Sequence, residues 1–410
     1  MTSIVVTGIG AVSPIASTAA ASFNGLMEGV SGIGSLSFPV DPRSKVTIAG
    51  EVGAIDAAAV LGPREAKRHG RVTQFTVVAA REALDGADWS AARYEPQRVA
   101  AIVGVGMGSL EVLCESLNVL RERGPGRVSP FGLAAIIPNM PAGMVATLAN
   151  AQGPCYCTAS ACASSSHAIG EAYRLLKTGE VDAAICGGAE ACVLPITIAG
   201  FASMGALSQR NDAPTKASRP FDADRDGFVL AEGGGMLVLE REDTARRRGA
   251  PVLARLLGYG ASADAYHAVQ PAPDGRGAIS AMRAALRSAE LAPDAVDYIN
   301  AHGTSTQYND VVEAAAIKTV FREHAFRIPV SSTKSMTGHM LGGAGAFEAA
   351  MTVLSLARGA VPPTINLDRA GDGCDLDFVP HNGRQMKLRN ALSNSFGFGG
   401  QNSSLLFGAA

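Results

Sequence analysis

Three residues whose types could do chemistry each sit inside a run of small residues. Cys162 lies in Ser160-Ala161-Cys162-Ala163-Ser164-Ser165-Ser166, and His302 lies in Asn300-Ala301-His302-Gly303-Thr304-Ser305-Thr306. His339 ends Thr333-Lys334-Ser335-Met336-Thr337-Gly338-His339. A thiol can hold an acyl group as a thioester, and two imidazoles can donate hydrogen bonds to an enolate oxygen formed as a second acyl group loses carbon dioxide. Together they suit carbon–carbon bond formation on a thioester. A free cysteine has a pKa of about 8.5, so little of it is thiolate at neutral pH. A helix N-terminus, with unpaired N–H groups and partial positive charge, lowers that value. The sequence places Cys162 at such a terminus, and Ala161, Ala163 and Ser164 permit a sharp strand-to-helix turn.

The elements that position these residues alternate along the chain. Residues 99–103 read as a strand before a Gly-rich turn, and Cys162 to about Thr178 as a helix. Residues 181–186 read as a buried strand ended by Gly187-Gly188. Residues 236–240 form another strand, and residues 296–300 form one that delivers His302 at its C-terminal end. Repeated strand–helix order predicts an α/β fold built on central sheets. There is also an internal echo. Small residues after Cys162 lead into a helix over 168–177, and Gly342-Gly343-Ala344-Gly345 after His339 lead into a helix over 347–357. The division falls near residue 250. Residues 1–250 carry the thiol, residues 251–410 carry both histidines, and the halves share a core.

Composition excludes several classes. Apolar residues are 47% and charged residues 18% of the 410, so a large core is affordable and disorder is not expected. A formal net charge of −2 gives no electrostatic case for nucleic acid or a membrane surface. One Trp and seven Tyr offer no base-stacking platform. No signal peptide and no long apolar span is visible, and seven cysteines are an odd number. Reduced thiols in a cytoplasmic protein follow as the expectation. Cys155-Tyr156-Cys157 lacks a second ligand pair, so no metal is expected. Gly8-Ile9-Gly10 and Gly104-Val105-Gly106-Met107-Gly108 lack the Gly-x-Gly-x-x-Gly pattern with an acidic partner, so no nucleotide is expected.

The motifs resemble those of the elongating β-ketoacyl-carrier-protein synthases, a branch of the thiolase-like family. The likeness runs from Val5-Val6-Thr7-Gly8-Ile9-Gly10 to Asn394-Ser395-Phe396-Gly397-Phe398-Gly399-Gly400-Gln401-Asn402. It implies a five-layered α/β/α/β/α fold with two pseudo-duplicated halves. It also implies decarboxylative Claisen condensation of a malonyl-carrier protein with an acyl chain held on Cys162. His302 and His339 would stabilise the enolate, and Lys334 would support them. The N–H groups of Cys162 and Phe398 would form an oxyanion hole, with Phe398 gating the thiol and Gly399 letting the backbone approach the ligand. Thr304 and Thr306 match threonines that bind the phosphopantetheine arm. Met107, Phe131 and Phe228 match positions that line or gate the acyl pocket. Asp310, Glu313 and Glu348 match structural polar positions. Arg64, Lys67, Arg68 and Arg127 match a basic docking face for an acidic acyl carrier protein, although Val128 and Gly205 stand where basic residues are often found.

The resemblance calls for no cofactor beyond the carrier's phosphopantetheine, and for a dimer. The partner would be a second copy or a chain-length-factor-like subunit, as in type II polyketide systems. Cys-His-His differs from the Cys-His-Asn set of initiating synthases, and the late Gly-rich motif lacks the second cysteine of degradative thiolases. A non-catalytic partner subunit would typically lack the nucleophile. Gln307-Tyr308-Asn309, Ser166, His167 and Gln401 depart from the common pattern and favour a specialised pathway. Acyl length, saturation, the choice between fatty-acid and polyketide elongation, the choice between homodimer and heterodimer, and the cognate carrier are not legible.

Overall fold

Short runs in which nearly every residue is apolar or small become strands covered on both faces. The structure, a computed structural model, describes residues 2–90 and 93–410. Its main strands are β1 (Ile4–Val12), β2 (Val99–Gly104), β3 (Cys155–Thr158), β4 (Ala183–Glu190) and β5 (Gly233–Arg241), then β6 (Ala254–Ala263), β7 (Tyr298–Asn300), β8 (Val330–Ser331), β9 (Asn390–Gly397) and β10 (Gln401–Ala409). The principal helices are α1 (Arg71–Gly86), α2 (Leu110–Arg123), α3 (Met140–Ala149), α4 (Ser164–Thr178), α5 (Pro195–Ser203), α6 (Arg276–Ser288), α7 (Asn309–Phe321) and α8 (Ala344–Arg358).

The strands hydrogen-bond in the order β8-β7-β9-β10-β6-β1-β5-β4-β2-β3. Read inward from each edge, both halves repeat one order: third, second, fourth, fifth, first. The two outer pairs are parallel and the two inner pairs antiparallel in each half. Only Val5↔Arg255 and Val6↔Ala254 pair across the middle.

Alternation along the strands sorts side chains into layers. Ile102, Ala184, Leu237 and Leu239 of the first half face inward, as do Ala391, Leu405 and Phe407 of the second, all onto α4 and α8. Ala101, Val103, Ile185 and Val238 face α1 and α3. Ile299, Leu392 and Leu406 face α6 and α7. The result is five layers, helix–sheet–helix–sheet–helix, with α4 and α8 in the middle.

These two helices are twins. Each has 15 residues, follows a three-residue 3-10 turn, and ends at a left-handed glycine, Gly179 or Gly359. The turns are Ala161–Ala163 and Leu341–Gly343, and each opens on a non-glycine residue with positive φ: Ala161 at 49° and Leu341 at 43°.

The structure corrects two local expectations. The helix after the thiol begins at Ser164, not Cys162. β4 does not stop at Gly187-Gly188 but runs through them to Glu190. Those glycines serve close approach rather than termination: a Cβ on Gly188 would lie 2.1 Å from the Gly104 carbonyl oxygen. Gly8 and Gly10 serve the same purpose, since a Cβ on either would fall within 2.0 Å of a carbonyl oxygen of α1. Among the described residues no helix is long and apolar enough to cross a membrane.

Tight backbone contacts cannot be relieved by rotating a side chain. A Cβ on Gly104 would lie 2.3 Å from the backbone of Ser164 and Ser165. Gly104→Ala is therefore expected to cost about 3 kcal/mol in urea unfolding. Gly143→Ala, in α3 with open space around it, is expected to be neutral or to stabilise by up to about 1 kcal/mol.

Candidate active site

The sequence after β3 folds into a strained elbow that carries Cys162. A left-handed alanine costs roughly 1–2 kcal/mol, so its surroundings must hold it. The Ser160 N–H donates to Ser164 Oγ at 2.9 Å, and Ser164 Oγ donates to the Ala161 carbonyl at 2.7 Å. Ser160 Oγ meets His167 Nδ1 at 2.5 Å. The elbow thus leans on the first turns of α4.

His302 follows β7, and its orientation begins with its backbone. The N–H groups of His302 and Gly303 both donate to the Glu313 carboxylate of α7, each at 2.8 Å. His339 is held in the same way: its N–H donates to Val229 O at 2.8 Å and its carbonyl accepts from Ala231 at 3.0 Å. The rings are fixed by packing. Phe396 lies against His302 and Phe228 stands edge-on to His339, with centroids 5.8 and 5.4 Å away. The two imidazoles are 5.3 Å apart and nearly perpendicular.

His339 Nε2 lies 3.1 Å from Cys162 Sγ, and both groups are buried, as is His302. Lys334 sits behind the imidazoles. Its ammonium donates to the His302 carbonyl at 2.7 Å and pairs with Glu348. Burial depresses both imidazoles well below their usual range, and the charge on Lys334 adds to this. Both histidines are neutral, which suits them to donate N–H bonds to a developing oxyanion. Burial raises the carboxyl of Glu348 to about 7, against the pull of Lys334.

The thiol departs from expectation. Burial pushes Cys162 up to about 11, although Lys334 and the Phe398 N–H both favour the thiolate. Desolvation outweighs the helix end because Cys162 is only 6% exposed. The ligand atoms of Cys162, His302 and His339 lie within 4.8 Å of one another, which makes them the one group among the described residues that could converge on a metal ion. The neighbouring Lys334 charge works against a cation there.

These groups line a cavity of about 330 Å³. Met107, Phe201, Phe228 and Leu341 form its apolar part beside the thiol, packed in one cluster with Cys162. Tyr308, Met204 and Gln270 mark its exposed mouth. Thr304 and Thr306 face it with their hydroxyls 2.9 Å apart. Phe398 lines it and packs on Phe201. Thus Cys162, His302, His339, Phe398, Met107, Phe228, Thr304 and Thr306 come together. Gly399 instead lies in the tight turn between β9 and β10, with φ of 82°.

Phe131 is not among the lining residues. Its ring is half-exposed on the surface, with the Arg68 guanidinium 4.2 Å above it. Arg64, Lys67 and Arg127 are exposed, whereas Arg68 is also tied to Glu65 at 2.5 Å. Sequence reasoning missed Glu190, Phe201 and Leu341. Glu190 left one signal, a lone carboxylate inside an otherwise apolar and small-residue run.

The comparisons with known proteins agree with this geometry. Residues 1–245 match the β-ketoacyl synthase N-terminal domain and residues 253–368 match the β-ketoacyl synthase C-terminal domain. The chain belongs to the β-ketoacyl synthase family. It is 48% identical to 3-oxoacyl-acyl-carrier-protein synthase 2 of Synechocystis sp., over 98% of this chain and 97% of that protein. Among solved structures it superposes on the ishigamide ketosynthase/chain length factor with a TM-score of 0.93, at 32% identity, covering 100% of this chain and 99% of that one. It superposes on the AntDE:AntF complex, a type II polyketide acyl-carrier protein with its hexaketide-bound ketosynthase, with a TM-score of 0.91, again at 32% identity and with coverage of 100% and 99%.

The raised thiol value has a measurable consequence. The rate at which iodoacetamide labels Cys162, followed by peptide mass spectrometry, is expected to climb through pH 9 without levelling, with a midpoint near 11. Lys334→Met removes a positive charge and is expected to slow labelling further at a given pH.

Proposed function

We propose that this chain is a β-ketoacyl-acyl-carrier-protein synthase, an acyltransferase that extends a Cys162-bound acyl chain by decarboxylative Claisen condensation. The observation that carries this reading is the buried contact between Cys162 Sγ and His339 Nε2 at 3.1 Å, with His302 beside it. The full-length likeness to a 3-oxoacyl-acyl-carrier-protein synthase supports it.

The residues act in two stages. An acyl group passes from carrier phosphopantetheine to Cys162, and the thiol proton ends on the departing phosphopantetheine sulfur. A His339 Nε2–H donating to sulfur offsets part of the desolvation that opposes the thiolate. A malonyl-carrier protein then binds, and Thr304 and Thr306 hold its pantetheine arm. Its thioester oxygen takes N–H bonds from His302 and His339 as carbon dioxide leaves, so the enolate forms where donors already stand. Its carbon attacks the Cys162 thioester. The resulting oxyanion is held by the N–H groups of Cys162 and Phe398. Collapse yields the β-ketoacyl-carrier protein and returns the sulfur, which takes up a proton. No cofactor beyond the carrier's phosphopantetheine is called on. A cytoplasmic setting fits seven unpaired cysteines, and a division near residue 250 fits family matches that end at 245 and resume at 253.

The partner surfaces belong to the same reading. α2 buries no side chain, and it exposes Leu113, Leu117 and Leu120 at helical spacing. Phe131, Leu133 and Ile137 are exposed nearby in the sequence, and β3 is an open sheet edge. A second subunit covering this face accounts for so much exposed apolar area. Two of the matched structures, those of the ishigamide and ApeO ketosynthases, include a chain length factor, which supports the heterodimer as a second reading.

Intact-mass spectrometry of carrier protein, after mixing with acyl- and malonyl-carrier proteins, tests the reaction. A product appears with the wild type and vanishes with Cys162→Ala; retention of full condensation by that variant sinks the assignment. His302→Ala and His339→Ala are each expected to lower decarboxylation by at least about a hundredfold. Reversing Arg64, Lys67 and Arg127 to glutamate is expected to raise KM for carrier protein about tenfold, with a smaller effect on kcat, and added salt should shrink the difference. Reversing Arg68 alone is expected to matter least, because it is already paired with Glu65.

A further inference from the structure

Glu190 ends β4 as a fully buried carboxylate that lines the cavity, and no lysine or arginine pairs with it among the described residues. Its partners are backbone. It accepts from the N–H of Gly106 at 2.8 Å and of Met107 at 3.2 Å. The N–H groups of Gly342 and Gly108 also favour its charged form. The approach requires glycine on both sides: a Cβ on Gly106 would lie 2.4 Å from Oε2, and one on Gly342 2.7 Å.

The carboxylate thus lies between two separate segments, bonded to one and packed on the other, and each segment carries one apolar wall of the cavity. Met107 donates its own N–H. Leu341 directly precedes Gly342 and has a φ of 43°. A branched side chain in that conformation persists only where its neighbours impose it. The repeated topology makes the position more telling. β4 and β9 occupy the same place in the two halves. Where β9 ends, Gly397 comes against the Cys162 N–H; where β4 ends, Glu190 comes against Gly342, the twin of Cys162.

We propose that Glu190 is a positioning residue that sets acyl-chain specificity, its carboxylate clamping the Met107 segment to the Leu341 turn and so fixing the width of the cavity's apolar end. This rests on the cavity being the acyl site, as argued above. Two carboxylate oxygens can accept from the Gly106 and Met107 N–H groups and still turn lone pairs toward the Leu341 turn. An amide offers one acceptor oxygen and turns an NH₂ group toward the remaining donors. Burial raises this carboxyl to about 7, and the backbone N–H groups offset only part of that cost.

The test compares wild type, Glu190→Gln and Glu190→Asp in condensation with a series of acyl-carrier proteins from short to long chains. In Glu190→Gln the ratio of kcat/KM for long over short chains is expected to change by about tenfold or more, with Glu190→Asp intermediate. An unchanged ratio, including an equal loss at every chain length as a folding defect would give, overturns the proposal. A second measurement needs no carrier protein: labelling of Cys162 by haloacetamides with alkyl tails of increasing length. The variants should alter the dependence on tail length, and identical profiles overturn the clamp. Iodoacetamide itself should still label Cys162 in Glu190→Gln, because removing a negative charge beside the thiol cannot raise its pKa. Wild type that fails to condense would defeat the proposed reaction, while the tail-length profile would still judge the clamp. If Glu190→Gln does not fold, both measurements stand on Glu190→Asp.

Discussion

Burial of a reactive sulfur is the constraint on which the rest of this centre depends. Taking Cys162 out of water raises its pKa, and taking His302 and His339 out of water keeps them uncharged. The first effect disfavours the thiolate, and the second leaves two imidazoles suited to donate N–H bonds to an oxyanion. The structure accepts the first for the second and offsets part of it with Lys334 and the Phe398 N–H. Lys334 could not remain buried alone, and Glu348 and the His302 carbonyl keep it satisfied. Glu313 holds the backbone of His302 and Gly303. The carboxylates of Glu313 and Glu348 thus hold, respectively, the His302 backbone and the Lys334 ammonium in place.

The same demand for dryness explains the wealth of alanine and glycine. Two helices between two sheets can exclude water only if backbones approach closely, and α4 meets Gly104 and Gly188 where any side chain would collide. Gly8-Ile9-Gly10 is a packing contact of this kind, its glycines lying against carbonyl oxygens of α1.

What the sequence disclosed and what it withheld divide along a physical line. Cys162, His302 and His339 stand out because each sits in a fixed local run of small residues; the strand–helix alternation indicates an α/β fold, while the five layers are legible only through the resemblance. The thiol's pKa was misjudged because a helix terminus is a local feature, whereas burial is a sum over the whole fold. The reading of β4 failed for a related reason, since Gly187-Gly188 looks like punctuation until a helix is laid across it. Phe131 matches a pocket position by resemblance yet lies on the surface under Arg68, because exposure depends on the whole fold and not on a residue's sequence neighbours. Glu190 left little trace because its partners are backbone amides of a distant segment, which no side-chain pattern records.

The repeated topology leaves two strained turns facing one cavity, and only one of them was given sulfur. At the other, the position of Cys162 is taken by Gly342, which packs against the Glu190 carboxylate. A doubled frame with a single thiol can store one acyl group at a time. The second must arrive, react and leave while still attached to its own carrier, so the two substrates cannot trade roles. The order of events is written into an asymmetry between otherwise matching halves.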